Sequence, residues 1–173
     1  MPAPIVSNES AEIIRIFNEI GEGPDFYPEP FREAIDAINE FVYERVNNGV
    51  YKAGFATKQE VYEEAFIQLF DALDALEVLL SDQPYLVGDT QTEADWRLFT
   101  TLVRFDPVYV GHFKCNMRRI ADYPALSRLV SELYRVPGIA ETVNFRHIKE
   151  HYYRSHPTIN PNGIVPAGPD WQP

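Results

Sequence analysis

Thr92-Glu93-Ala94-Asp95-Trp96-Arg97-Leu98-Phe99-Thr100-Thr101-Leu102-Val103-Arg104 decides the fold. Its first four residues form a capping box: the threonine oxygen accepts the N–H three residues on, and the acid there, here Asp95, reaches back to the threonine's own N–H. The helix that follows, 96–104, is apolar nearly all round, through Trp96, Leu98, Phe99, Leu102 and Val103. A helix without a wet face belongs at the centre, and its neighbours in sequence must supply the layers around it.

Those neighbours are helical in pattern. Upstream, Thr57-Lys58-Gln59-Glu60 reads as another capping box, opening a long helix whose stripe runs through Val61, Ala65, Leu69, Leu73, Leu76 and Leu80. Glu63, Glu64, Asp71, Asp74 and Glu77 take its wet side, and Gln83-Pro84 ends it. Tyr85 to Asp89 is a short apolar segment with a turn. Earlier still, Pro28 and Pro30 precede an amphipathic stripe (Phe31, Ile35, Ile38, Val42) that runs to Asn47-Asn48-Gly49. A first short helix over Ser10–Ile20 is stopped by Gly21-Glu22-Gly23-Pro24. Downstream, Asp106-Pro107 is expected to break the central helix, Tyr123-Pro124 to open a helix over 125–135, and Pro137-Gly138 to precede a last helix over 139–154. Pro157, Pro161, Pro166, Pro169 and Pro173 forbid regular structure beyond it. The pattern is an all-α bundle with a proline-rich extension, without a strand pair or a repeat.

The 173 residues suit one domain, and 45% hydrophobic with 24% charged residues is an ordinary globular composition. A net charge of −11 and a pI near 4.7 make nucleic acid and anionic membrane poor partners. Cys115 is the single cysteine, which excludes an internal disulfide and a thiolate zinc cluster and favours a reducing compartment. With no secretory leader at the N-terminus and no run long enough to span a bilayer, the chain reads as soluble and cytoplasmic.

No Gly-rich phosphate loop, G-x-S-x-G elbow or C-x-x-C pair occurs, so candidate chemistry rests on scattered residues. His147 and His151 stand four apart, a metal-binding spacing, but no further ligand cluster accompanies them, and no metal is expected. Lys114, Arg118 and Arg119 near Cys115 could lower its thiol pKa, while its apolar, aromatic surroundings suggest a core residue. Tyrosine stands out, with 10 residues. Tyr51 is expected in the loop after Gly49, Tyr109 follows the proline break, and Tyr152 and Tyr153 close the last helix. A phenol on the lip of a pocket can donate to a ligand oxygen while its ring stacks on an aromatic ligand; equally, such rings can fill the ends of a bundle with their hydroxyls in water.

Longer motifs bring these residues together. Phe105-Asp106-Pro107-Val108-Tyr109-Val110-Gly111-His112-Phe113-Lys114-Cys115-Asn116, His147-Ile148-Lys149-Glu150-His151-Tyr152-Tyr153 and Asn47-Asn48-Gly49-Val50-Tyr51-Lys52-Ala53-Gly54-Phe55-Ala56, with the tail Ile159-Asn160-Pro161, resemble the C-terminal half of the glutathionyl-hydroquinone reductases, the Xi class of glutathione transferases. The resemblance covers the chain from Pro4 onward. It implies a two-domain enzyme, with glutathione and a nucleophilic Cys-Pro cysteine on a thioredoxin-like domain and a hydroquinone pocket in a helical domain. No Cys-Pro motif occurs here, and Cys115 does not match the catalytic position. The implied division is residues 1–27 as the last helix of a truncated thioredoxin-like domain plus a linker, 28–154 as the helical domain, and 155–173 as a tail packed on it through Ile159, Ile164, Val165 and Trp171.

Asn8-Glu9-Ser10 resembles the Glu-Ser pair that binds the γ-glutamyl end of glutathione, although Ser7, Asn8 or Ser10 could equally be a plain helix cap. Tyr51, Tyr109 and Tyr152 match the family tyrosines that line the hydroquinone site. The implied reaction is attack of the cysteine thiolate on the sulfur of a glutathionyl-hydroquinone, leaving an enzyme–glutathione mixed disulfide that a second glutathione resolves. The resemblance also implies a homodimer formed through this domain. A rival expectation is a non-catalytic helical interaction module of glutathione-transferase type.

Overall fold

The computed structural model describes residues 7–168 and Pro173. Eight α-helices make up the described chain: α1 Ser10–Ile20, α2 Arg32–Val42, α3 Gly49–Gly54, α4 Gln59–Asp82, α5 Glu93–Arg104, α6 Pro124–Tyr134, α7 Ile139–Thr142 and α8 Phe145–Ser155. There is no β-sheet among the described residues, only an isolated bridge between Tyr85 and Gly88. None of these helices is long and apolar enough to cross a membrane.

The expected central helix is central. Leu98 and Leu102 of α5 are wholly buried in one core cluster with Leu69, Leu73 and Leu76 of α4, Leu126, Leu129 and Leu133 of α6, and Ile35 and Val42 of α2. The capping box at its start is formed, with the Thr92 N–H donating to Asp95 Oδ2 at 2.8 Å. Asp95 also accepts the Leu86 N–H at 2.8 Å, so one buried carboxylate starts the helix and fastens the turn before it. Carboxylates assigned to solvent or to a helix break work the same way. Glu77 accepts the Ala125 and Leu126 N–H groups, both at 2.8 Å, at the start of α6, and Asp106 accepts those of Ile120 and Ala121 at 2.6 and 3.1 Å. A helix start has free N–H groups to offer, and an acid on a neighbouring helix serves as well as a local cap.

Several expectations fail in detail. The box at Thr57 does not form: α4 starts one residue late, with extended Lys58 at the cap and no side-chain bond, leaving Thr57 outside the helix. Asn47-Asn48-Gly49 does not end the second helix. The chain winds through a π-helical turn, Tyr43–Asn47, into α3, because the Asn47 amide is occupied elsewhere, donating to Thr101 Oγ1 at 2.5 Å and to the Arg97 carbonyl at 3.2 Å. Pro107 does not break the chain from its helix either. A second π turn, Phe105–Tyr109, carries it on, closed by the Val110 N–H on the Phe105 carbonyl at 3.0 Å. The last helix splits in two, because Asn144 accepts the His147 N–H at 3.0 Å and starts α8 afresh.

Beyond α8, Asn160 Nδ2 donates to the Tyr153 and Ile164 carbonyls at 2.6 and 2.9 Å. Ile159 and Val165 pack on the core, whereas Ile164 is exposed, and Trp171 lies outside the described residues.

Candidate functional site

Both π turns lead to a tyrosine. An extra residue in a helical turn rotates everything after it, and such turns recur at functional sites. Tyr51 therefore lies on α3 and not in the expected loop, while Tyr109 is the last residue of the second π turn. Tyr152 comes from α8, whose register is set by the Asn144 cap. Phe113 wedges the three together. Its ring stacks on Tyr109 at 5.4 Å and packs edge-on against Tyr51 and Tyr152 at 5.4 and 5.9 Å. It comes this close to α3 because residue 54 is glycine, where a Cβ would overlap the Phe113 ring.

The three hydroxyls form a chain. Tyr152 Oη lies 2.6 Å from Tyr51 Oη and 2.9 Å from Tyr109 Oη. Two bonds among three hydroxyls use two of their three protons and leave one to give away. Exposure falls along the set: Tyr51 is 39% exposed, Tyr152 7% and Tyr109 2%. Burial holds the Tyr109 and Tyr152 pKa values well above the ordinary phenol range, so at neutral pH both are proton donors and not phenolates. The Tyr109 and Tyr152 hydroxyls are thus bonded within the protein, while Tyr51 keeps one side toward solvent.

These tyrosines border one cleft of about 1060 Å³, with Trp96 and Arg104 of α5, Ser10 and Phe17 of α1, and Ile139 of α7 also on its walls. Ser10 thus shares the cleft with Tyr51, Tyr109 and Tyr152. Glu9 does not line it; its carbonyl accepts the N–H groups of Glu12 and Ile13 at 3.0 Å and its side chain is exposed. No side chain caps α1, so the plain-cap expectation for Ser7, Asn8 or Ser10 is not met.

Cys115 is wholly buried, and burial pushes its thiol up to about 12, which excludes a reactive thiolate at neutral pH. Among the described residues no group of three or more His, Cys, Asp or Glu is arranged to hold a metal, His147 and His151 included.

Three features were not singled out by sequence reasoning. His112 and His156 join Nε2 to Nδ1 at 2.9 Å beneath Tyr153, and nothing local marks two histidines 44 residues apart as a pair. Glu93, read only as part of a capping box, accepts from Arg15 at 2.7 Å and from Asn39 at 2.8 Å, tying α1 and α2 to α5. Arg104 closes α5 at the cleft wall.

The fold is that of the glutathione transferase helical domain: the family described as "Glutathione S-transferase, C-terminal domain" matches residues 59–130. Within that class the chain is similar to the Xi-class glutathione transferases and to the glutathionyl-hydroquinone reductases. It is 62% identical over 170 residues to glutathionyl-hydroquinone reductase PcpF of Sphingobium chlorophenolicum, covering 95% of this chain and 54% of that protein. It is 57% identical to glutathionyl-hydroquinone reductase YqjG of Escherichia coli, over 97% of this chain and 52% of that one. The chain therefore spans about half the length of the curated relatives it matches. Among solved structures, glutathione-bound YqjG superposes with a TM-score of 0.92 over 97% of this chain and 56% of that chain, at 56% identity. The Xi transferase of Phanerochaete chrysosporium gives 0.90 at 54% identity, over 95% of this chain and 56% of its own.

Proposed function

We propose that this chain is the ring-binding helical domain of a glutathione-dependent reductase that cleaves glutathionyl-hydroquinones to hydroquinone and oxidised glutathione. The observation that carries the reading is the chain of three phenols on the cleft wall, with one proton unspent. Placed against a ring oxygen in a desolvated cleft, such donors stabilise the charge that gathers there as the ring's C–S bond breaks. Trp96 offers a flat apolar wall for the ring itself.

The nucleophile in this reading is a cysteine on a thioredoxin-like domain, since Cys115 is buried and protonated. That domain would sit on the apolar face of α1, where Phe17 and Ile20 are 64% and 71% exposed. Glu9 and Ser10 would take the γ-glutamyl end of glutathione. The open start of an 11-residue helix favours a carboxylate, and Glu9 can pair with the ammonium. Association into a homodimer and a reducing, cytoplasmic setting complete the reading.

Tyr152→Phe, made in a protein that joins this chain to its thioredoxin-like domain, tests it. Loss of the central hydroxyl should lower kcat/KM for a glutathionyl-hydroquinone by about 1–3 kcal/mol. An unchanged kcat/KM would remove the phenol chain from the reaction, and a wild-type protein without turnover would favour the non-catalytic module.

A further inference from the structure

The cleft has an unbalanced charge. Arg97 and Arg104, both on α5, are the cationic residues on its walls, and Glu93 is the acid, among the described residues. Glu93 is already engaged by Arg15 and Asn39, and Arg97 leans on it at 3.8 Å. Arg104 is different. One of its N–H groups goes to the Thr100 carbonyl, and among the described residues it forms no ion pair with any carboxylate. A guanidinium has five N–H donors, so most of its capacity stays open beside the phenols. In a chain of net charge −11, one uncompensated cation on a tyrosine-lined wall is a feature that needs a ligand. Its field already reaches the phenol chain, opposing the effect of burial on the Tyr152 hydroxyl.

We propose that Arg104 binds an oxyanion on the ligand's ring, so that the cleft selects acidic phenols and hydroquinones as their phenolates. The inference rests on the cleft being the ring-binding site and adds the charge state that the site prefers. A guanidinium suits this task because it stays charged and presents planar paired donors, which a phenol alone cannot supply.

The probe is 4-nitrophenol, whose phenolate absorbs visible light, with its neutral methyl ether, 4-nitroanisole, as the control; both are titrated against the chain. An opposite charge within a few ångströms lowers an acid's pKa by roughly one unit or more. The bound phenol should therefore ionise about one pH unit below the free one. Arg104→Gln should abolish that shift, and Arg104→Lys should retain part of it. At a pH where the phenol is ionised, the wild-type chain should bind it at least ~10-fold more tightly than the ether, the factor that one pKa unit represents. Equal binding of phenolate and ether by the wild-type chain overturns the proposal without any variant having to fold. So does a shift that survives in Arg104→Gln; both outcomes leave the tyrosine reading standing. No saturable binding of either probe overturns the ring-binding reading and this inference together.

Discussion

Helices α1 and α5 line the same cleft, yet α5 buries eight of its twelve residues and α1 buries none. Both have a strongly apolar face. That of α5 is covered by α2 and α6, while that of α1, through Phe17 and Ile20, meets solvent. What holds α1 is polar. Arg15 reaches Glu93 at 2.7 Å and Asp36 at 2.5 Å, with its guanidinium 3.7 Å above the Tyr27 ring. The contrast shows that an apolar stripe predicts a helix but not its cover: α5 is held by the hydrophobic core, and α1 by an ion-pair clamp beside a face still open to a partner.

The contrast can be broken from the α5 side first. Asp95→Ala removes the acceptor of two backbone N–H groups, Thr92 and Leu86, at a wholly buried site. A cap alone is worth about 1 kcal/mol, but two orphaned donors should raise the cost to about 3–4 kcal/mol in a denaturant titration. A loss near 1 kcal/mol would show that the Leu86 contact contributes nothing.

Acid should act next, through buried His112 and its half-buried partner His156. His112 is 4% exposed, and burial, followed by the charges of His156 and Lys114, lowers its pKa from 6.5 to about 4. The unfolded chain takes up that proton near 6.5 and the folded one only near 4. Its contribution to stability is therefore complete above 6.5 and drains away as the pH falls toward 4, by on the order of 3 kcal/mol. Burial shifts Asp95 and Asp106 upward, which works in the opposite direction, so the informative quantity is a difference between proteins. His112→Gln should flatten the decline between 6.5 and 4 relative to wild type; parallel curves would mean that the imidazole is not held neutral.

Glu93→Gln tests the clamp. Removing the charge that faces Arg15 should cost about 2 kcal/mol and speed amide exchange in α1 more than in α5. Equal effects on both helices would mean that α1 is part of the core after all. The smallest effect belongs to Phe17→Ser, which should leave the stability of this chain within about 0.5 kcal/mol of wild type. A larger loss would show the open face of α1 to be already covered.

The core was legible because it follows periodicity. The stripes of α4 and α5 bury most of the residues their spacing selects, Ala65 to Leu80 and Leu98 to Val103, although Val61 at the start of α4 is 50% exposed and Trp96 is half-buried, and the Thr92 box forms where its residues stand. Thr57 carries the same signature and fails, since whether a threonine caps depends on where the preceding turn delivers the chain. The tyrosines stood out by number and by their place beside breaks in the helices, but only the resemblance joined Tyr51, Tyr109 and Tyr152 into one expected site. Each of Tyr51 and Tyr109 lies at or just beyond a π turn, where the 3.6-residue period loses its phase and no longer predicts which face a side chain takes. Asn47 and Pro107, which stop helices in general, were overridden by a tertiary hydrogen bond in one case and a wide turn in the other.

The amino-acid order by itself determined that this is an all-helical chain, which helix lies at its centre and most of the residues that fill the core, though not the exposure of Phe31 and Val61, because burial of periodic apolar faces is a local pattern acting through a non-directional force. Tertiary structure alone decided that three phenols 43 to 101 residues apart share two hydrogen bonds, that Glu93 clamps α1, and that Arg104 stands without an ion-pair partner among the described residues. Hydrogen bonds and ion pairs act over a few ångströms and depend on direction, so they exist only once packing has fixed the distances.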